Sequence, residues 1–313
     1  MTTKPLTNKR TFWKQMNRYK ALWLMALPGI IYLLLNNYLP MFGTIIAFKN
    51  INYAKGIWKS DWVGFKNFEY LFSTSDAFII TRNTLLYNTV FIVITLICSV
   101  SLAIMLNEVR KQLAKKFYQS ALLLPYFLSA VIVAYLVYSL LSSEYGFLNK
   151  IVLPLFGQDP VSWYNEPKYW PYILVIVNTW KGVGYSCVIY IAAIVGIDNE
   201  YYEAAKIDGA SKWQQIRHIT VPLLMPVITT MVLLSIGRIF YADFGLFYQV
   251  PLDSGMLLPV TNVIDTYVYR GLLQLGDLGM SSAAGLYQSL VGFVLVLVSN
   301  AIVRKFNRDQ ALF

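Results

Sequence analysis

Long apolar runs alternate with polar segments along most of this sequence. Each run holds about 20 or more mainly apolar residues, which is the length that an α-helix needs to cross a hydrocarbon core of about 30 Å. The pattern therefore predicts an all-α integral membrane protein with six transmembrane helices. The predicted spans are 21–48, 83–107, 117–141, 170–196, 222–245 and 281–303.

The first predicted span follows about twenty mostly polar residues and contains Pro28, Gly29 and Pro40. Proline disrupts the hydrogen bonding of a helix, so we expect this span to tilt or kink. The run is also longer than the apolar region of about 7–15 residues in a cleavable signal peptide. We interpret it as a signal anchor that stays in the protein.

Basic residues are unevenly distributed between the two sets of segments that connect the spans. Cytoplasmic segments carry an excess of Lys and Arg, so the more basic set is predicted to be cytoplasmic, with both termini inside. The longer segments 49–82, 142–169 and 246–280 are then outer loops. The basic residues on the inner side are Lys4, Lys9, Arg10, Lys14, Arg18, Lys20, Arg110, Lys111, Lys115, Lys116, Lys206, Lys212, Arg217, Arg304, Lys305 and Arg308.

The composition supports this reading and argues against nucleic-acid binding. Of the 313 residues, 57% are hydrophobic and only 13% are charged, whereas about 25% are charged in a typical soluble domain. The formal net charge is +10, but the cations stand at the ends of apolar runs, which membrane topology explains better than a nucleic-acid surface. The two cysteines, Cys98 and Cys187, lie inside apolar runs and are expected to pack in the core. With one histidine in the chain, His218, a transition-metal site is not expected.

A polar segment between the fourth and fifth spans carries the most specific pattern in the sequence. It reads YYEAAKIDGASKWQQIRHITVP and ends at Pro222. Its alanines favour a helix and leave the backbone open to close approach by another protein. Glu203 is expected in the first helical turn, where a carboxylate interacts favourably with the helix dipole. Gly209 is expected to end this helix, and Pro222 to start the next one.

The spacing E-A-A-x-x-D-G-A, with a proline twelve residues after the Gly-Ala pair, resembles the EAA loop of permease subunits of bacterial ATP-driven importers. In that family the loop holds the helix by which the membrane subunit docks on its ATPase. The resemblance implies that 197–222 is a coupling loop; an ordinary amphipathic loop helix is the alternative. The residues to which the resemblance assigns ATPase contact are Glu203, Ala204, Ala205, Asp208, Gly209 and Ala210.

Charged residues inside the predicted spans point to a polar pathway. A charge at the centre of a transmembrane helix costs about 2.5–3.5 kcal/mol on insertion scales, so it usually faces a cavity. Aromatic rings interleaved with hydrogen-bonding groups also suit a sugar, because rings stack on its C–H face. The predicted substrate pathway consists of Asn178, Trp180, Lys181 and Tyr185 in span four and Arg238, Tyr241 and Asp243 in span five.

Helix geometry places this pathway in the outer half of the membrane. At 1.5 Å per residue, Lys181 is expected about 16 Å below the outer face and Arg238 about 24 Å from the cytoplasmic face. The alternative is a structural ion pair that joins Asp243 to Arg238 or to Lys181. Arg238 could also extend its guanidinium to the outer surface.

The sequence lacks the common catalytic patterns. It contains no phosphate-binding loop G-x-x-x-x-G-K-[ST], no H-E-x-x-H and no combination of residues for a serine triad. We therefore expect a transport subunit that is not an enzyme and binds no cofactor. If transport is driven by ATP, ATP and Mg²⁺ are bound by partner ATPase subunits.

Further segments resemble carbohydrate permeases of the maltose type, and more closely the LplB-like branch. They are Arg18-Tyr19-Lys20, Leu27-Pro28-Gly29, Val63–Phe68, Gly237–Pro251 and the terminal Ala-Leu-Phe. The resemblance implies a type I importer fold in the bacterial plasma membrane. It implies a heterodimer with a second permease, two ATPase subunits, an extracellular sugar-binding lipoprotein and a carbohydrate substrate.

On this reading, 1–20 is a basic cytoplasmic segment, 21–303 is the six-span permease domain and 304–313 is a cytoplasmic tail.

Two other function classes stay open. One is a secondary transporter driven by an ion gradient, for which inverted repeats with discontinuous helices would be typical. The other is a structural membrane protein, which the charges in the spans disfavour. Within the importer class, a non-sugar solute is the alternative cargo.

Overall fold

The computed structural model describes residues 18–306. The basic positions 4–14, Arg308 and the terminal Ala-Leu-Phe lie outside this range. The principal helices are α1 (Lys20–Leu33), α2 (Lys66–Ser73), α3 (Ser75–Asn107), α4 (Gln112–Leu123), α5 (Ala130–Leu141), α6 (Trp170–Val195), α7 (Asn199–Ile207), α8 (Lys212–Gln215), α9 (Val221–Ile236), α10 (Ile264–Leu273) and α11 (Leu278–Phe306).

Short elements connect these helices. Two strands, β1 (Lys49–Asn50) and β2 (Asp61–Trp62), form an antiparallel hairpin in which Lys49 pairs with Trp62. Single α-helical turns occur at Leu39–Met41, Gly56–Lys59, Leu153–Leu155 and Leu258–Thr261, and 3₁₀ turns at Phe42–Phe48, Leu124–Phe127, Trp163–Asn165, Pro167–Tyr169 and Gly255–Leu257.

Five helical stretches in the described residues are long and apolar enough to cross a membrane. They overlap five of the six predicted spans, although two boundaries differ clearly from prediction. The second stretch begins at Ser75 rather than at 83, and the fourth, which corresponds to the fifth predicted span, runs from 212 to 236 rather than from 222 to 245. The five stretches are Lys20–Phe48, Ser75–Asn107, Pro167–Val195, Lys212–Ile236 and Leu278–Lys305.

The third predicted span, 117–141, is not one straight helix. Its two halves, Gln112–Phe127 and Ala130–Leu141, meet at a bend of 99°. Pro125 lies in the 3₁₀ turn before the bend, and Ser129 caps α5 by accepting a hydrogen bond of 3.3 Å from the N–H of Ile132. Proline and a capping serine both favour a helix boundary. Six spans result if this bent pair counts as one.

The fifth span also ends earlier than the hydrophobic run suggested. Helix α9 stops at Ile236, and residues 237–243 form turns and irregular backbone. Arg238 and Asp243 therefore lie in a break after the helix and not inside it, which corrects their predicted placement. The predicted depth of Arg238 assumed a helix that continued past this point.

Four π-helical turns occur between residues 18 and 306, and each ends two residues before a proline. The turns are Leu34–Tyr38, Leu148–Val152, Ile216–Thr220 and Gly245–Gln249, and the prolines are Pro40, Pro154, Pro222 and Pro251. Proline has no N–H and its ring clashes with the carbonyl four residues earlier. A widened turn relieves that clash, which explains the recurring position.

The predicted outer loop 246–280 is largely built into the core. Val263, Ile264 and Thr266 are completely buried, and α10 packs against α11 and α3. The elements here have ten residues or fewer, so they produce no long apolar run. The central part of this predicted outer loop is therefore folded and buried.

The first span differs from the others because it hardly contacts the rest of the chain. No residue from Lys20 to Met41 is buried. Contact begins at the 3₁₀ turn Phe42–Phe48, which packs against α11 and contains the buried Ala47. Elsewhere, the core includes a cluster in which Cys187 packs with Tyr190 and Leu224. Both cysteines are free, and the predicted packing role of Cys187 is confirmed.

Candidate coupling and translocation sites

Helix α7 of the predicted coupling loop begins at Asn199, four residues before the E-A-A pattern. Asp198 caps it, since its Oδ1 accepts a hydrogen bond of 3.0 Å from the N–H of Glu200. Glu200 therefore occupies the first turn, where its carboxylate favours the helix dipole. The predicted first-turn position of Glu203 is wrong. The helix starts earlier in the sequence, directly after the Asp198 cap, so Glu203 lies about one turn beyond the first turn.

The predicted end of α7 at Gly209 is confirmed. Gly209 has φ of +78°, a left-handed conformation that glycine adopts without strain. Its N–H donates to the carbonyl of Lys206 at 3.1 Å, and the N–H of Ala210 donates to the carbonyl of Ala205 at 2.8 Å. These two bonds form a Schellman motif, which satisfies carbonyls at the end of the helix.

The second half of the loop is continuous with the fifth span. Ser211 and Gln214 form a capping box at the start of α8, and Pro222 is the second residue of α9, as predicted for a helix start. Side chains hold the two halves together. The hydroxyls of Tyr202 and Thr220 lie 2.9 Å apart, and the Nε2 of Gln215 donates to the carbonyl of Ala210 at 3.0 Å.

The predicted coupling loop, 197–222, presents an exposed surface. Glu203, Ala204, Asp208 and Gly209 are exposed, while Ala205 and Ala210 are partly buried. Three large apolar side chains on this surface are also exposed: Tyr201 by 58%, Ile207 by 87% and Trp213 by 70%. Apolar groups grouped on a polar loop mark an interaction surface.

Three of the predicted pathway residues on α6 lie on one helix face. Asn178, Lys181 and Tyr185 follow a spacing of three and then four residues, whereas Trp180 points about 100° away from Lys181. The ring of Tyr185 stacks on that of Tyr126, with centroids 4.7 Å apart and planes 12° apart. Tyr126 belongs to the bend in the third predicted span, which therefore borders this face.

The other three predicted pathway residues lie in the break after α9, and all three are exposed. The Oδ1 of Asp243 accepts a hydrogen bond of 3.1 Å from the N–H of Leu246. The Tyr241 hydroxyl lies 3.5 Å from that of Ser289 on α11. Arg238 forms no ion pair with any carboxylate of the described residues.

The structure does not join the two groups of pathway residues by a direct bond. Among residues 18–305, no ion pair or side-chain hydrogen bond links the group on α6 to the group in the break. The alternative pairs of Asp243 with Arg238 or Lys181 are not formed either. The charges of Lys181 and Arg238 are therefore not neutralised by a neighbouring carboxylate of this part of the chain.

Three polar residues that sequence reasoning missed hold the break in place. The Nδ2 of Asn88 donates to the carbonyls of Ile239 at 2.9 Å and Tyr241 at 3.3 Å. The Nε2 of Gln288 donates to the carbonyl of Phe240 at 2.7 Å. The N–H of Ala242 donates to the Oδ2 of Asp265 at 2.8 Å, and Gln288 donates to the same oxygen at 3.0 Å.

This network explains how irregular backbone is tolerated within the helical bundle. Backbone groups freed from a helix need partners when water is scarce, and amide and carboxylate side chains of α3, α10 and α11 supply them here. Two of these residues could have been found from the sequence, since Asn88 and Gln288 are amides inside apolar runs. Asp265 could not, because it lies in a segment that the hydrophobic pattern predicts to be a loop.

Comparisons with known proteins agree with this architecture. Residues 92–308 match the family described as "Binding-protein-dependent transport system inner membrane component". The chain is 38% identical over 297 residues to the polygalacturonan/rhamnogalacturonan transport system permease protein YteP of Bacillus subtilis (strain 168), covering 93% of this chain and 89% of that protein. It is 33% identical to the LplB protein of the same organism, covering 94% and 92%.

A solved structure is similar over almost the full length. It is the crystal structure of a bacterial ABC transporter involved in the import of the acidic polysaccharide alginate, with a TM-score of 0.87 and 33% identity over 95% of this chain and 99% of that chain. A second crystal structure shows a bacterial alginate ABC transporter with an alginate pentasaccharide-bound periplasmic protein, with a TM-score of 0.85. This chain belongs to the family of binding-protein-dependent transport system inner membrane components, the permease subunits of ABC importers.

Proposed function

We propose that this chain is one permease subunit of an ATP-driven importer for a sugar or oligosaccharide. It forms half of the translocation pathway and couples to a separate ATPase through the loop 197–222. The observation that carries the proposal is the exposed helix α7, which ends at a left-handed glycine beside the exposed Ile207. A polar helix with an exposed apolar side chain at its end suits insertion into a groove of another protein.

The ATPase partners supply the energy. Two ATPase subunits bind ATP and Mg²⁺, and this chain contributes no cofactor site and no catalytic residue. The contacts come from Glu203, Ala204, Ala205, Asp208, Gly209 and Ala210, and we extend this set to Tyr201, Ile207 and Trp213 because they are exposed on the same loop.

The orientation follows from the charges. We place both termini and the loop 197–222 in the cytoplasm of a bacterial cell, and the chain in the plasma membrane. The distribution of Lys and Arg supports this orientation. ATP is cytoplasmic, so a docking surface for an ATPase has to lie on the same side.

A second, homologous permease completes the complex as a heterodimer. The helical stretch from Lys20 to Met41 supports this partner, because none of its residues is buried by this chain. One side of such a helix can face lipid, but a helix that its own chain buries nowhere contributes little to the fold of its subunit. We propose that it packs on the second permease.

An extracellular sugar-binding lipoprotein delivers the cargo. The family description names a binding protein, and the alginate transporter was crystallised with its periplasmic protein. The cargo passes Asn178, Trp180, Lys181 and Tyr185 on α6 and Arg238, Tyr241 and Asp243 in the break, where aromatic rings stack on the sugar and polar groups bind hydroxyls.

The electrostatics favour a saccharide that carries carboxylates. Lys181 and Arg238 have no ion-pair partner among residues 18–305, and an anionic cargo would neutralise them. Two of the similar proteins are named for transport of polygalacturonan/rhamnogalacturonan and of the acidic polysaccharide alginate. Uptake of a galacturonate oligomer should therefore exceed that of a neutral oligomer of equal length.

Reconstitution tests the proposal. The complex of this chain, a second permease and the ATPase is placed in liposomes, with loaded binding protein added on the outer side of the permease. Uptake is expected to require ATP inside, and ATP hydrolysis is expected to rise with loaded binding protein. Uptake that persists without ATP and collapses with an ionophore would establish the ion-coupled alternative instead. ATP turnover by the isolated chain would contradict the division of labour.

A further inference from the structure

A groove with exposed apolar walls lies between α3 and α6. It has a volume of about 590 Å³, within the usual range for sites that hold a small ligand. Leu86 is 58% exposed there, Tyr172 72% and Ile176 66%. The remaining lining is also mostly apolar and includes Val90 and Ile94 of α3.

The groove lies on a different side of α6 from Lys181, the charged pathway residue of this helix. With 100° per residue, Tyr172 and Ile176 are within about 40° of each other, whereas Lys181 is about 180° from Tyr172. On α3, Leu86 and Asn88 are about 160° apart, and Asn88 faces the break after α9. The groove therefore lies on a different face of α6 from Asn178, Lys181 and Tyr185, whereas Trp180, four residues after Ile176, is on the groove side.

A fixed arginine stands at one end of this groove. The Nε and Nη2 of Arg82 donate to the Oδ1 of Asn83 at 3.2 and 2.9 Å, and Nη2 also donates to the carbonyl of Pro259 at 3.1 Å. Asn83 is itself buried and donates to the carbonyl of Asn262 at 2.9 Å. The guanidinium is thus held in place, and its Nη1 forms no hydrogen bond within the described residues.

No carboxylate of the described residues forms an ion pair with this arginine. The four ion pairs among the described residues do not include Arg82, and its side chain is exposed. A planar guanidinium with free N–H groups matches the geometry of a phosphate. The charge of the groove end is therefore complementary to an anionic head group.

The dimensions match a lipid aligned along the helices. From Arg82 to Ile94 the groove follows α3 for twelve residues, or about 18 Å. This length is close to half of a hydrocarbon core of about 30 Å. Arg82 lies 25 residues from the other end of α3 at Asn107, about 38 Å away, which places its side chain at the level of the lipid head groups.

We propose that this groove binds one anionic phospholipid, with the phosphate at Arg82 and an acyl chain along Leu86, Val90 and Ile176. The apolar lining then contacts the chain while the arginine contacts the head group. The site occupies the leaflet opposite the coupling loop. Calling this leaflet the outer one depends on the proposed orientation of the chain. The position of the site at this end of the helices does not depend on it.

Native mass spectrometry of the purified full complex tests the proposal, with phosphatidylglycerol as the probe and phosphatidylcholine as the neutral comparison. The wild-type complex is expected to retain one more phosphatidylglycerol than the Arg82→Gln complex, and to show no such difference with phosphatidylcholine. Arg82→Lys keeps the positive charge and should retain the lipid partly. Lys150→Gln, an exposed cation elsewhere, should leave the count unchanged.

A second variant tests the site independently, in case Arg82→Gln loses lipid through local unfolding. Ile176→Trp fills the groove from an exposed position and should lower phosphatidylglycerol retention at least tenfold without changing assembly. A photo-crosslinking residue at position 176 should capture lipid. Capture of the second permease at this position, or unchanged lipid retention in both Arg82→Gln and Ile176→Trp, would overturn the proposal.

Discussion

The Nζ of Lys212 lies 2.8 Å from the Oε2 of Glu108, which joins the coupling loop to the end of α3 across 104 residues of sequence. Both side chains are substantially exposed, by 61% and 44%, so the pair contributes at most about 1 kcal/mol to stability. We expect the pair to help position the loop relative to the bundle.

Reversing one charge of this pair should impair coupling more than folding. We expect Lys212→Glu to lower uptake about two- to fivefold, because like charges then repel at the base of the loop. The double variant Glu108→Lys with Lys212→Glu should recover most of the uptake. Equal uptake in the single and double variants would show that the pair does not position the loop.

Gly209→Asp should uncouple ATP hydrolysis from transport while the protein still assembles in the membrane. The change adds bulk and charge at the proposed ATPase contact, and the left-handed conformation adds about 1–2 kcal/mol of local strain. Gly209→Asn is the matched control, since it has nearly the same size and tolerance of positive φ without the charge. Uptake and ATPase activity are measured together in liposomes. Normal transport by Gly209→Asp would contradict the docking assignment.

Accessibility labelling should reveal the orientation of the chain. In a background without Cys98 and Cys187, single cysteines replace Lys212, Arg308 or Asp159. An impermeant thiol reagent should leave the first two unlabelled in intact cells and label the third. Permeabilised cells serve as the positive control, and the reverse pattern in intact cells would invert the topology.

Lys181→Ala and Asp243→Ala should each lower uptake about tenfold without loss of assembly. A hydrogen bond to a charged group contributes about 1.5–3 kcal/mol, and 1.4 kcal/mol corresponds to a factor of ten. Since the two side chains form no ion pair, the double variant should be at least as impaired as either single one. Recovery of uptake in the double variant would indicate a structural pair that forms in another state of the transporter.

Asp265→Ala should destabilise the break after α9. The carboxylate accepts from the N–H of Ala242 and the amide of Gln288, and each buried donor left without a partner costs about 1–3 kcal/mol. We expect a lower midpoint in thermal unfolding of the purified complex. Asp265→Asn retains an acceptor and should lose less, and Ser289→Ala, at an exposed site of α11, should have little effect.

The sequence was sufficient for the parts of the fold that depend on long patterns. Five spans and the stop at Gly209 follow from hydrophobic run length and from the backbone freedom of glycine. The bend at Ser129 and the early end of α9 at Ile236 did not follow, because an apolar run continues through both positions. The length of an apolar run indicates whether a segment is apolar enough to lie in the membrane. It does not indicate whether the backbone stays helical throughout.

The polar network was harder to predict for a related reason. Asn88, Asp265 and Gln288 come from three distant parts of the chain, and each acts on the backbone of a fourth part. Their roles depend on tertiary contacts that no local spacing encodes. The pathway residues could be proposed from charge alone, but their division between α6 and the break depends on where α9 ends.

The unburied first helix also has a consequence for the life of the protein in the cell. Stability that depends on a partner rises with the concentration of that partner. An orphan copy of this chain would keep its first helix without protein contacts, and would present it to membrane proteases and chaperones. We therefore expect the steady-state amount of this subunit to follow the synthesis of its partner permease, so that unequal expression is corrected by turnover to a one-to-one stoichiometry.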